Sequence, residues 1–149
     1  MLKLHRFAVF PLALCAALAH PALARDDVLH LSFQDVLNSQ EAKGKLDSRV
    51  RFLLAGQKTP KVVKTLDSDV SNPKTNGFNK TAAQVCNWAA LSSLIALQKR
   101  TQQNGGNAVI EIDSSYKGKE FFSATEYECH DDVIAVGVSL NGTYASIED

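Results

Sequence analysis

Residues 81–112 read TAAQVCNWAALSSLIALQKRTQQNGGNAVIEI, and this stretch decides the fold. It divides into a long helix, a glycine stop and a strand. Thr81 followed three residues later by Gln84 is the capping-box pattern, in which the hydroxyl takes one orphan amide and the glutamine reaches back. Val85, Trp88, Ala89, Ser92, Ile95 and Ala96 recur at helical spacing, and Cys86, Ala90, Leu94 and Leu97 widen the apolar surface. A polar strip is left near Asn87 and Gln98. Lys99 and Arg100 suit the negative end of the helix dipole, and Asn104, Gly105 and Gly106 suit its termination. A helix of this length spans about 30 Å. Its apolar surface is too wide to face water, so the helix is expected to lie on a sheet.

Outward from that centre, the start of the chain reads as an address. MLKLHRFAVFPLALCAALAHPALA has basic Lys3 and Arg6, an apolar middle from Phe7 to Leu18, and the small-x-small triplet Ala22-Leu23-Ala24. These are the parts of a secretory signal peptide, cleaved after Ala24, and the apolar run is too short for a membrane span. The alternative is a lipoprotein anchored at Cys15, although Leu14 is bulky where such sites take a small residue. The expected organisation is a signal peptide over 1–24 and one domain over 25–149, periplasmic or secreted, without a transmembrane segment. Removal of Lys3 and Arg6 leaves 14 basic against 16 acidic residues, a net charge of −2. That balance gives no reason to expect nucleic acid or an anionic membrane as partner. Lys58, Lys61, Lys64, Lys74, Lys80, Lys99 and Arg100 read as a solvated surface.

Val28 to Leu31 alternates, and Ser32 with Asp35 three residues on caps a short N-terminal helix carrying Phe33, Val36 and Leu37 and ending near Gly44. Arg49 to Ala55 reads as a strand, and the following residues to Lys80 as one strand and one long loop with turns at Asn72-Pro73 and Asn76-Gly77. Ala108 to Asp113, Phe121 to Cys129, Val133 to Leu140 and Thr143 to Ile147 read as strands. Tyr116 to Glu120 is the turn between the first two, and Asn141-Gly142 a hairpin or bulge signal before the last. The fold class expected is α+β: a small antiparallel sheet packed against one long central helix, with a short N-terminal helix.

The chemistry is sparse. The sequence holds no G-x-x-x-x-G-K-[ST] phosphate loop and no G-x-S-x-G elbow. Ser92 and Ser93 read as helix-surface serines, and no catalytic residue and no cofactor is assigned. Cys86 and Cys129 are the two cysteines of the mature chain. In an exported protein such a pair forms a disulfide; the alternative is two buried thiols. Cys129, His130, Asp131 and Asp132 are all metal-ligand types, but neighbours on an extended chain point to opposite sides, so no metal is assigned to them. Asn79-Lys80-Thr81 and Asn141-Gly142-Thr143 match the glycosylation triplet and are explained by a cap and a turn.

Several runs carry a resemblance: PKVVKT (60–65), VSNPKTNGFNK (70–80), CNWAALSSLIALQKRTQQNGGNAVIEI (86–112), EYEC (126–129) and VGVSLNGT (136–143). Together they resemble a family of small exported bacterial proteins often labelled excinuclease ATPase subunit. That label implies nucleotide hydrolysis in DNA repair, for which the phosphate loop is missing. More distantly, the helix, glycine stop, N-A-V-I-E-I strand and V-G-V-S-L-N-G-T strand are similar to the YbjQ-like heavy-metal-binding domain and to the Rcs outer-membrane stress sensor. Those resemblances imply a helix against a small sheet. The expectation for function is a non-enzymatic envelope module that binds another envelope protein or senses envelope state. The alternative is a metal-binding or metal-responsive module.

Overall fold

The computed structural model describes residues 26–75, 79–132 and 135–148. The signal segment, Cys15, the Asn76-Gly77 turn and the first residues of the strand expected from Val133 lie outside them. In chain order the elements are β1 (Asp26–Ser32), α1 (Phe33–Asn38), α2 (Gln40–Lys43), β2 (Arg51–Leu54), β3 (Val62–Ser71) and β4 (Lys74–Thr75). They continue with α3 (Ala82–Gln103), β5 (Ala108–Tyr116), β6 (Lys119–Phe121), β7 (Glu126–Asp132), β8 (Val136–Gly137) and β9 (Leu140–Ile147). The chain is α+β.

The local signals act where they stand. Ser32 Oγ accepts from the Asp35 amide, and Ser39 Oγ accepts from the Ala42 amide, so the expected single short helix is two short helices ending at Gly44. Thr81 Oγ1 accepts from the Gln84 amide while Gln84 Oε1 accepts from the Thr81 amide, closing the capping box of α3. At the other end the Gly105 amide donates to Gln102 O and the Gly106 amide to Thr101 O, with Gly105 at φ +76°. This is the Schellman stop.

One antiparallel sheet was expected, and two are present. The first has the order β1-β7-β8-β4 and is antiparallel throughout. The second has the order β2-β5-β9-β3, with β6 also on β5, and its β2–β5 pair is parallel. The expected strand Phe121–Cys129 breaks at Phe122–Thr125, where the chain leaves the second sheet and enters the first. The segment expected as one strand and one long loop holds the ten-residue β3 and the two-residue β4. Asn141-Gly142 makes no hairpin; it lies inside β9.

Helix α3 packs against strands of both sheets, and a single apolar cluster from Phe33 through Leu94, Ile112 and Tyr127 to Tyr144 fills the space between. Its buried stripe is Val85, Cys86, Ala89, Ala90, Leu91, Ser93, Leu94, Leu97, Gln98 and Thr101. This corrects the expected face. Trp88 is 41 % exposed, and Gln98 is buried, its Oε1 accepting from the Asp47 amide (2.6 Å) and its Nε2 donating to Lys45 O (3.3 Å). The physical reason is that strands of both sheets, α1 and the segment after α2 all pack on the helix, so what looked like an apolar flank became the centre.

Candidate functional site

The register of β1 against β7 sorts the residues of interest. Leu29 pairs with Cys129 and Leu31 with Tyr127, facing the core; Val28 pairs with His130 and His30 with Glu128, facing away from it. Cys129 therefore meets α3. Its sulfur lies 2.06 Å from that of Cys86, and the Cα atoms are 5.8 Å apart, inside the range for a disulfide. The bridge joins the second turn of α3 to the middle of β7, and both cysteines are fully buried.

On the opposite face the structure gathers residues that lie far apart in sequence. His30 Nε2 is 3.3 Å from Glu128 Oε2, and His130 Nε2 is 2.8 Å from Glu128 Oε1. A carboxylate only accepts, so both imidazoles point an N–H at it. Each ring is also stacked. Phe121 of β6 lies 4.1 Å from His30 with 9° between the planes, and Tyr116 of β5 lies 3.7 Å from His130 with 15°. The β5–β6 hairpin thus lies on the outer face of the first sheet. Gly137, paired with His130 on β8, leaves room for Tyr116, whose Cε2 is 3.4 Å from where a Cβ would stand.

The four consecutive ligand-type residues do not converge. Cys129 is tied to Cys86, His130 faces Glu128, and Asp131 alternates to the other side of the strand. The side chain of Asp132 lies outside the described residues. Sequence reading missed His30 and Glu128. The visible signal was alternation, His30 in a strand and Glu126-x-Glu128 in another, but only the β1–β7 register brings them together.

A second feature lies at the start of α3. Ser39, Glu41, Asn79, Lys80, Gln84, Asn87, Trp88 and Leu91 line a cavity of about 420 Å³. Lys45 Nζ stands 5.5 Å from the centroid of the Trp88 ring, a cation–π contact. Asn87, beside Cys86, accepts at Oδ1 from the Tyr127 hydroxyl at 2.7 Å, and burial pushes the Tyr127 phenol well above its usual range. The first turns of α3, whose Gln84, Asn87, Trp88 and Leu91 line the cavity, are therefore anchored to β7 twice, through the disulfide and through this hydrogen bond. Comparison with protein families, with curated proteins and with solved structures finds no match to this chain. Among the described residues no helix is long and apolar enough to cross a membrane.

Proposed function

We propose that this chain is a non-enzymatic, exported interaction module, periplasmic or secreted, whose partner is another protein of the envelope. The observation that carries the reading is the half-exposed Trp88 on the wall of an open cavity. Tryptophan is the residue most enriched among interface anchors, and a half-buried indole already held by its own helix loses little freedom on binding. The Cys86–Cys129 bridge supports the reading, because it fixes the turn that carries Trp88 and belongs to an oxidising compartment. The signal-like start of the sequence and its resemblance to small exported proteins support the address. In vivo crosslinking followed by pull-down tests it. Wild-type protein should capture a defined envelope protein, and Trp88→Ala, with an unchanged circular dichroism spectrum, should lose it. Equal capture by the variant would overturn the assignment of the surface.

A second reading, a metal-responsive module, is favoured by one observation. The two histidines of the segment after the signal share one carboxylate. Cys129 has no part in this version, since its sulfur is bonded.

A further inference from the structure

We infer that the cavity beside Trp88 takes a proline-rich segment of the partner protein, in the polyproline II conformation. This rests on the protein-partner reading above and deepens it by naming the chemistry of the segment. Gln84, Asn87, Trp88 and Leu91 follow one another at spacings of three and four residues, so they form one stripe of α3 along the wall of the cavity. From Gln84 to Leu91 the stripe runs about 10 Å along the helix axis. Three residues of a polyproline II helix advance about 9 Å, so a short segment laid along α3 spans it.

Hydrogen-bond polarity selects the occupant. Gln84 Oε1 is engaged by the Thr81 amide in the capping box, and Asn87 Oδ1 by the Tyr127 hydroxyl. The NH2 groups of both side chains donate to nothing among the described residues. The indole N–H of Trp88 is a donor only. Apart from the two engaged oxygens, the polar groups that the stripe offers a ligand are therefore donors, and the Lys80 ammonium beside it adds another. An ordinary peptide brings an N–H for every carbonyl, and a sugar hydroxyl brings a donor with its acceptor. A run of prolines has carbonyls and no N–H, so its backbone only accepts. Its rings also pack on an indole, which is how aromatic-lined grooves read such segments. On another wall, the Glu41 carboxylate suits a basic residue flanking the run.

Both sides are ordered before they meet. The two amides are oriented by the bonds that engage their oxygens, and Lys45 stands over the Trp88 ring. The polyproline II helix is extended without a partner, so little freedom is lost on either side.

Trp88 is the only tryptophan of the chain, so its fluorescence reports the cavity directly. Titration of the disulfide-oxidised protein with a blocked decaproline peptide should give a saturable change in emission at one peptide per chain. A glycine–serine peptide of equal length should give none. Gln84→Glu keeps an oxygen for the Thr81 amide, and Asn87→Asp keeps one for the Tyr127 hydroxyl, while each loses its donor. The double variant should retain the circular dichroism spectrum and bind decaproline at least about tenfold more weakly. Emission unmoved at millimolar decaproline, equal affinity in the folded double variant, or a saturable response to a chitin oligosaccharide with none to decaproline would each overturn the inference. Partner capture that depends on Trp88, with no response to decaproline, would discard the proline-rich segment and leave the protein-partner reading standing. Decaproline binding by a protein that captures no envelope protein would keep the segment and discard that partner.

Discussion

The hydroxyl of Tyr127 donates to Asn87 Oδ1 at 2.7 Å, one residue along the helix from Cys86 and two along the strand from Cys129. A polar and a covalent tie thus run side by side between α3 and β7. Because Asn87 is partly exposed, water replaces the hydroxyl when it is removed, and Tyr127→Phe should cost about 1 kcal/mol in urea unfolding. The phenol gives a second reading. Its folded-state pKa is raised by burial above the unfolded value of 10.0, so its contribution is complete below pH 10.0 and declines as the pH rises past it. Tyr127→Phe should flatten that alkaline decline. A decline of unchanged slope would assign it to other groups.

Reduction of the Cys86–Cys129 bridge should cost more. The bridged residues are 43 apart in sequence, and closing a loop of that size restricts the unfolded chain by about 4 kcal/mol in the chain-entropy account. The double variant Cys86→Ala/Cys129→Ala, which avoids a lone thiol in the core, should lose a comparable amount. Because the bridge fixes the start of α3, amide exchange should quicken first in residues 82–90, and uniform quickening along the helix would show that the bridge acts on the whole fold.

Trp88→Ala is expected to cost about 1–2 kcal/mol, roughly half the value of a fully buried large side chain. Leu94→Ala, at a position with no exposure, should cost about 2–5 kcal/mol. The ordering is the check: a tryptophan variant less stable than the leucine variant would place the indole in the core.

That ordering also marks what could be read from the sequence. The ends of α3 were legible because Thr81 with Gln84 and Gly105 with Gly106 act on their own backbone within a turn. The face was not, because apolar residues surround most of the helix and only the elements packed on it, both sheets together with α1 and the segment after α2, decide which of them are covered. Strand β5 announced itself as an apolar run and β7 by the alternation of Tyr127 and Cys129 with Glu126 and Glu128, whereas the parallel β2–β5 pair depends on a crossover that no local pattern encodes. The same limit hid the candidate site. His30 and Glu128 are 98 residues apart, and nothing in either neighbourhood states that they face each other.

Gly142 stands in β9 opposite two residues of β5, Glu111 and Ile112, where the register shifts. Glu111 has φ +52°, the left-handed conformation of a G1-type bulge, normally a glycine position. A Cβ at Gly142 would stand 2.5 Å from Val109 Cγ1. Gly142→Ala should therefore destabilise by about 1–3 kcal/mol through overpacking. Glu111→Gly should be neutral or stabilising, since the strain relieved is about 1–2 kcal/mol and offsets the added freedom of the unfolded chain. Thermal unfolding of the two variants would separate them; loss of stability in both would mean that the Glu111 side chain supplies something beyond its backbone angle.

Asp113 follows that bulge and is buried; among the described residues its Oδ1 has no hydrogen-bond partner, and its Oδ2 accepts a long hydrogen bond of 3.4 Å from Asn141 Nδ2. Burial raises its pKa above the ordinary 3.8, and the charge of Glu120 adds to the rise, while the bond from Asn141 opposes it. For an acid with a raised folded-state value, the favourable contribution is complete below pH 3.8 and is lost as pH rises through the folded value, because the fold then holds an uncompensated charge. Asp113→Asn keeps the shape and removes that charge, and its Oδ1 can still accept from Asn141. The variant should match the wild type in urea midpoint near pH 3 and exceed it at pH 7. A variant less stable than the wild type at pH 7 would mean that the carboxylate has a cationic partner in solution, and the buried charge would have to be reassigned as one half of a pair.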